Sequence, residues 1–339
     1  MTTTPKVTVL MPVYNCEAYV GEAIDSILGQ SFTDFECLII DDASTDKTVS
    51  IVKGYSDSRI KFIRKPENTG YTNSLNYGLT IAQGEYIARM DGDDISLPER
   101  FAKQVTFMDA YPEVVACGTT YSIIGSGIIK KVPINHGDIK VQLLQKTCFG
   151  HPTVMLRKAV FEKFKVAYNS DREPAEDYDL WVRLLKYGKL ANLPEVLLSY
   201  RVHDGQVSVK NIKKKFDNYY IIKKNILNYL DAPLTEVEMN LLDRIICRQI
   251  ISYEEFEVFK TIKKKFLIAN RSGVFKSSGF DDYLQDMERL LLKDYFYNRT
   301  SYFPFLLSHY HRLNKTFNFK LSIKERVKLF VKSVIYFKK

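Results

Sequence analysis

No apolar run in this 339-residue chain approaches the roughly eighteen residues that a membrane-spanning helix needs. The opening Met-Thr-Thr-Thr-Pro-Lys leads straight into a strand, and no signal peptide is expected. There is no Cys-x-x-Cys pair. Five scattered cysteines, Cys16, Cys37, Cys117, Cys148 and Cys247, read as small core residues of a reduced, cytosolic protein rather than zinc ligands or disulfides. No Gly-x-Gly-x-x-Gly follows the first strand, where Pro12-Val13-Tyr14-Asn15 stands instead, so a dinucleotide fold is disfavoured. A Gly-x-x-x-x-Gly-Lys-Ser/Thr loop is missing too, which sets aside P-loop enzymes. Without a glycine cradle, a bound diphosphate would need a metal. No internal repeat or low-complexity linker is visible.

What is present is ordinary for a globular chain, with 45% hydrophobic and 26% charged residues. The length allows one large α/β domain plus an appendage. Net charge is +9, unevenly placed. Residues 310–339 hold nine Lys or Arg against one acid, Glu325, which leaves the rest of the chain close to neutral. A neutral body with a basic tail argues against a nucleic-acid groove across the main domain.

Apolar, β-rich segments at 6–13, 35–40, 60–64, 86–90 and 114–118 predict strands. Helical spacing at 19–28, 71–82 and 97–110, with another helix capped by Asp46, fills the gaps between them. Such βαβ alternation predicts a mostly parallel, Rossmann-like sheet with helices on both faces. Further on, the pattern predicts a hairpin over 119–133, a helix over 138–144, a strand over 153–156, a helix over 176–187 and a last strand over 197–201. Beyond about residue 206 long Lys-, Tyr-, Phe- and Ile-rich helices take over. The expected division is a catalytic domain over 1–208 and a basic helical region over 209–339.

In such a sheet the ligand lies beyond the carboxyl ends of the strands. Polar loops fall there: Tyr14-Asn15, Asp41-Asp42, Lys65 to Asn68, and Asp91 to Asp94. Asp91, Asp93 and Asp94 crowd three carboxylates into four positions, a set that suits Mg²⁺ or Mn²⁺ and a substrate phosphate. Read alone, Asp-Gly-Asp-Asp before Leu97-Pro98 is equally good turn chemistry. The acids after both strand two and strand four favour the metal.

Six segments in order carry a resemblance. They are Pro12-Val13-Tyr14-Asn15, Asp41-Asp42-Ala43-Ser44-Thr45-Asp46, Glu67-Asn68-Thr69-Gly70, Met90-Asp91-Gly92-Asp93-Asp94, Glu176-Asp177-Tyr178-Asp179-Leu180-Trp181 and Tyr200-Arg201-Val202-His203. Together they resemble family 2 inverting glycosyltransferases of the GT-A fold, over residues 6–208. The resemblance implies a UDP-sugar donor bound by Pro12, Val13, Tyr14, Asn15, Asp42, Asn68 and Asp91, with Asp42 accepting from uracil N3–H. It implies Asp93 as direct ligand of Mn²⁺ or Mg²⁺, Asp91 on ribose or metal-bound water, and His203 as a further ligand or a surface histidine. Arg201 would face the diphosphate or pair with an acid. Asp177 would be the general base, with Glu176 in reserve; first-turn acids favoured by the helix dipole are the plainer account. His151-Pro152 recurs in similar transferases, and its role does not follow from the sequence.

Polymerising relatives carry Gln-x-x-Arg-Trp, absent here, so one sugar is expected to be added. In 321–337, Ile323, Val327, Phe330, Val331, Val334 and Phe337 share a face opposite Lys324, Lys328 and Lys332. That pattern fits either an anionic bilayer surface or a core-facing helix with solvated lysines. On the membrane reading the acceptor is a lipid-diphosphate-linked glycan, as for bacterial surface polysaccharides, and the protein is peripheral on the inner face of the cell membrane. A nucleotidyltransferase, a non-catalytic sugar-nucleotide or membrane-binding module and a nucleic-acid-binding protein are the rival classes.

Overall fold

In the computed structural model, residues 4–203, 212–297, 302–317 and 319–335 are described. Strands Val7–Val13 (β1) and Phe35–Asp41 (β2) are buried at every position, as continuous apolar runs require when both faces of a sheet are covered. They pair in parallel, with Ile60–Arg64 (β3) outside β2 and Tyr86–Arg89 (β4) on the other flank of β1. The remaining strands are Ile95–Ser96 (β5), Val114–Ile123 (β6), Ile129–Lys130 (β7), Met155–Arg157 (β8) and Lys189–Tyr200 (β9). Their order is β3-β2-β1-β4-β8-β6-β9-β5, with β7 attached to β6. Parallel pairs carry most of the register; β8 runs antiparallel between β4 and β6.

Helices cover both faces, as expected. On one, Val20–Leu28 (α1) buries Val20, Ala23, Ile24 and Ile27 against Val7, Val9, Met11 and Val13 of β1. Each fully buried aliphatic side chain there contributes roughly 1.5–3 kcal/mol. Thr48–Lys53 (α2) and Arg100–Ala110 (α4) add Val52, Phe101, Val105 and Met108 to the same core. On the opposite face Tyr71–Ile81 (α3) seats Gly78 directly on the sheet: a Cβ there would lie 2.2 Å from Leu10 Cδ1 and 2.9 Å from Ile40 Cδ1. His136–Leu143 (α5), Lys158–Phe164 (α6), Glu176–Leu184 (α7) and Ile212–Leu227 (α8) follow.

Two boundaries differ from the sequence pattern for physical reasons. β9 starts at Lys189 rather than 197, because Pro194 sits where the β6–β9 register shifts, the kind of bulge that tolerates a proline inside a strand. α2 has Lys47 at its cap, while Asp46 accepts from Thr48 N at 2.9 Å one residue earlier than a regular N-cap.

The chain divides into two compact units, Met1–Ile222 and Lys223–Lys339. The boundary expected at 208/209 lies outside the described residues. Among the described residues the second unit is helical: Glu236–Ile246 (α9), Glu255–Ala269 (α10), Ser277–Tyr297 (α11), Phe305–Phe317 (α12) and Ile323–Val334 (α13). Its core is aromatic, with Phe256, Phe259, Phe280, Tyr295 and Phe296 fully buried. α9 and α13 open on capping boxes, Thr235 with Glu238 and Ser322 with Glu325. No helix among the described residues is long and apolar enough to cross a membrane.

Candidate active site

Three successive turns at the carboxyl ends of β1, β2 and β3 are made by residues in the left-handed region. Asn15 has φ +50°, Ala43 φ +62° and Gly70 φ +92°. Asparagine and glycine adopt this conformation readily; an alanine there costs about 1–2 kcal/mol, which the surrounding bonds must offset. Those bonds tie the first two loops together. Asn15 Oδ1 accepts from Thr45 N at 2.9 Å, Asn15 N donates to Ser44 Oγ at 2.9 Å, and Cys16 N donates to Thr48 Oγ1 at 2.8 Å. Pro12 and Val13 are buried beneath this clasp, and Tyr14 and Asn15 are exposed on it.

Asp42 is buried and joins the second loop to the third. Its Oδ1 accepts from Lys65 Nζ at 2.6 Å and Thr69 N at 3.1 Å, and its Oδ2 from Gly70 N at 2.8 Å. Burial works to raise its pKa, but Lys65 and the two backbone N–H groups hold it below the usual carboxylate range. Asn68 is exposed on the same loop, its Oδ1 accepting from Gly70 N at 3.2 Å. Lys65, which sequence reasoning placed only in a polar loop, is thus the charge partner of Asp42.

Beyond β4 the structure brings the expected acids together. One carboxylate oxygen each from Asp91, Asp93 and Asp94 lies within 4.8 Å of the others. Gly92 lets the chain pass close to β1, since a Cβ there would sit 2.8 Å from Val13 Cγ1. Asp91 pairs with Arg89, an almost fully buried guanidinium on the strand itself. Asp93 Oδ2 lies 2.9 Å from His203 Nε2. Asp94 is fully buried; its Oδ1 accepts from Arg201 N at 2.8 Å, while its Oδ2 has no hydrogen-bond partner. Burial, then the charges of Asp91 and Asp93, push Asp94 up to about 9. Asp91 is also raised by burial, with Arg89 pulling it back. Three hard oxygen donors, one of them buried and unpartnered, fit a divalent cation well.

Arg201 takes the acid-pairing place of its two expected ones. Its Nε donates to Asp93 O at 2.8 Å, its Nη2 to Glu22 Oε2 at 2.6 Å, and its guanidinium lies 4.4 Å over the Tyr19 ring. It therefore fixes the acidic loop from behind. The same Tyr19 ring sits 5.3 Å from His203.

Glu176 and Asp177 open α7, whose other side buries Leu180, Trp181 and Leu184. Asp177 is partly exposed and accepts from Thr147 Oγ1 at 3.3 Å. Glu176 is buried, with His151 Nδ1 at 4.0 Å from its Oε1; His151 Nε2 in turn lies 3.0 Å from Tyr168 Oη. Burial, then the Asp177 charge, push Glu176 up to about 8, and burial raises Asp177 as well. Burial holds His151 well below its ordinary value, so it stands neutral beside the pair. The structure places His151, whose role does not follow from the sequence, in this contact.

The charges of Asp177 and Asp91 both bear on the buried Tyr168 hydroxyl, and those of Asp94 and Asp177 on that of Tyr121, so the two acid groups lie within electrostatic range of the same tyrosines. Both groups stand beside the loops that follow β1, β2 and β3. Residues 8–165 match the family described as Glycosyl transferase family 2. An uncharacterized glycosyltransferase of Haemophilus influenzae is 37% identical over 246 residues, covering 66% of this chain and 76% of that one. The chain belongs to glycosyl transferase family 2.

Another relative is the O-antigen biosynthesis glycosyltransferase WbnJ of Escherichia coli, 35% identical over 248 residues, covering 67% of this chain and 93% of that protein. A solved structure of S. aureus TarS 1–349 in complex with UDP-GlcNAc superposes with a TM-score of 0.59 at 19% identity, covering 96% of this chain and 89% of that one. That likeness establishes the GT-A fold. Membership of family 2 makes the protein a glycosyltransferase and displaces the nucleotidyltransferase and the non-catalytic module.

Proposed function

We propose that this family 2 enzyme moves one sugar, with inversion, from a UDP-hexose or UDP-N-acetylhexosamine to a hydroxyl of a lipid-diphosphate-linked glycan during bacterial surface-polysaccharide synthesis. The observation that carries the reading is the cluster of Asp91, Asp93 and Asp94 beyond β4, where a buried carboxylate oxygen has no partner, in a family 2 domain. The TarS complex with UDP-GlcNAc and the O-antigen relative support the choice of donor and pathway class.

Asp177 Oδ accepts the acceptor hydroxyl proton as that oxygen bonds to the anomeric carbon and the bond to the nucleoside diphosphate breaks. Thr147 orients the carboxylate, and neutral His151 beside Glu176 adds no charge that would lower the pair's basicity. The loops of Asn15, Asp42 and Asn68 form the base and ribose bed. Asp93, Asp91, Asp94 and His203 would hold Mn²⁺ or Mg²⁺, which when bound stabilises the negative charge on the departing diphosphate. Arg201 keeps the Asp93 backbone in place for that set. Incubation with a panel of UDP- and GDP-sugars plus Mn²⁺ is expected to release UDP from a UDP-sugar. Release of GDP alone would contradict the donor assignment.

α13 supports a peripheral place at the bilayer. Ile323, Val327, Phe330, Val331 and Val334 are 48–73% exposed, while Leu329 and Ser333 on the other side are buried. A core-facing helix would show the reverse. At 3.6 residues per turn, Arg326 borders one edge of the exposed stripe and Lys324 and Lys328 the other, the arrangement of a helix lying in an anionic interface. Phe337, part of the same expected face, lies outside the described residues. Deleting 310–339 is expected to remove binding to phosphatidylglycerol-containing liposomes in a flotation assay; unchanged flotation would refute the membrane assignment.

A further inference from the structure

We infer that the helical C-terminal unit carries a second anion site, which takes the phosphate head group of an amphiphile. A cavity of about 860 Å³ opens between α10 and α11 and the end of α12. Lys260, Lys263, Lys264, Arg289, Lys293 and Lys320 line it. The lining holds one acid, Glu288, taken by Lys263 at 2.6 Å, and two further cations have exposed partners outside it, Lys260 with Glu257 at 3.1 Å and Arg289 with Asp286 at 3.7 Å. Among the described residues no acid pairs with Lys264 or Lys320, both exposed.

Cations gathered around one concavity repel each other, and a recess focuses their field more than a flat or convex surface does. An ordinary solvated lysine face spreads its charges outward over a helix. Here three segments turn theirs into the same hollow. The charge calls for an anion, and the walls say which kind. Leu267, Leu292, Phe317 and Phe319 also line the cavity. A nucleic-acid groove needs exposed rings on which bases stack, whereas Phe319 here is buried and Phe317 half-buried. Phosphate oxygens among lysines, with an alkyl or polyprenyl chain against Leu and Phe, satisfy both parts of this lining. Lys320 lies three residues before α13, so the chain passes from the cavity directly into the helix with the exposed apolar stripe.

This extends the acceptor side of the proposed function and does not depend on the donor site. The test uses the full chain in vesicle co-sedimentation, with neutral phosphatidylcholine, phosphatidylcholine plus phosphatidylglycerol, and phosphatidylcholine plus a polyprenyl diphosphate at matched charge. Lys264→Glu combined with Lys320→Glu changes exposed side chains. Lys53→Glu combined with Lys61→Glu makes the same net-charge change on the first unit. The cavity variant is expected to lose roughly tenfold or more in affinity for the phosphate-bearing vesicles, and the control variant to lose little. Binding to both anionic preparations identifies a phospholipid head group as the source; preference for the polyprenyl diphosphate identifies an acceptor-type lipid. Equal binding by the two variants would overturn the site, as would binding to neutral vesicles alone. So would a single-stranded oligonucleotide that displaces the vesicles and loses affinity in the cavity variant. UDP release from the donor, measured in parallel, should be the same in the cavity variant and the unaltered chain. A loss of lipid binding with intact UDP release separates this site from the donor reading, and intact lipid binding with no UDP release would sink only the latter.

Discussion

Asp177→Asn is expected to lower sugar transfer by roughly 10²–10⁴-fold while leaving UDP affinity nearly unchanged. The amide keeps the shape of the carboxylate and its contact with Thr147 but cannot take a proton. On the proposed reading UDP is held elsewhere, by the loops after β1 and β2 and the acids after β4, so calorimetric titration with UDP and Mn²⁺ should give the same affinity. Equal loss of transfer and binding would make the residue structural. The pH profile adds a second reading. A base works ionised, and burial raises the Asp177 carboxyl above its ordinary range with Glu176 pushed up to about 8 beside it. Activity should therefore fall as pH drops through a limb lying above the usual carboxylate values. The two acids titrate as a pair, so Glu176→Gln, which removes one charge, should move that limb to lower pH. An acid limb unchanged in Glu176→Gln would show that the two do not interact.

Stripping divalent ions with EDTA is expected to abolish transfer, and Mn²⁺ to restore it. Asp91, Asp93 and Asp94 are three carboxylates with one buried oxygen lacking a partner. A cation would offset the burial and the mutual repulsion that raise Asp94 and Asp91. Because the ion binds the folded state only, Mn²⁺ at a hundred times its dissociation constant should stabilise the protein by about 2.7 kcal/mol. Differential scanning fluorimetry should show this as a rise in Tm of a few degrees. Asp93→Asn should lose that rise together with most of the affinity for UDP. Full turnover after EDTA treatment would contradict the metal assignment.

The parallel strands were legible because each is a continuous apolar run, and the gathering of Asp91, Asp93 and Asp94 was legible because polar residues punctuate the strand ends. What the sequence hid was mostly held in pairings across long separations. Three-residue β8 gives no periodic signal, so its antiparallel place between β4 and β6 could not be read. Lys65 binding Asp42, and His151 beside Glu176, join residues 23 and 25 positions apart through turns whose geometry no local pattern states. Arg89 did leave a trace: an arginine in the buried strand Tyr86–Arg89 calls for a nearby carboxylate, and Asp91 supplies it. For α13, the amphipathic pattern alone left two environments open, and the exposure of Phe330 and its neighbours is what the membrane proposal rests on.

A crystal soaked with UDP and Mn²⁺, recorded for manganese anomalous scattering, tests the central claim most directly. The account predicts one anomalous peak about 2.1–2.2 Å from an Asp93 carboxylate oxygen, with the UDP phosphates bound to it and the uracil over the Asn15–Asp42 loops. A peak and a nucleotide bound away from Asp93 would contradict it.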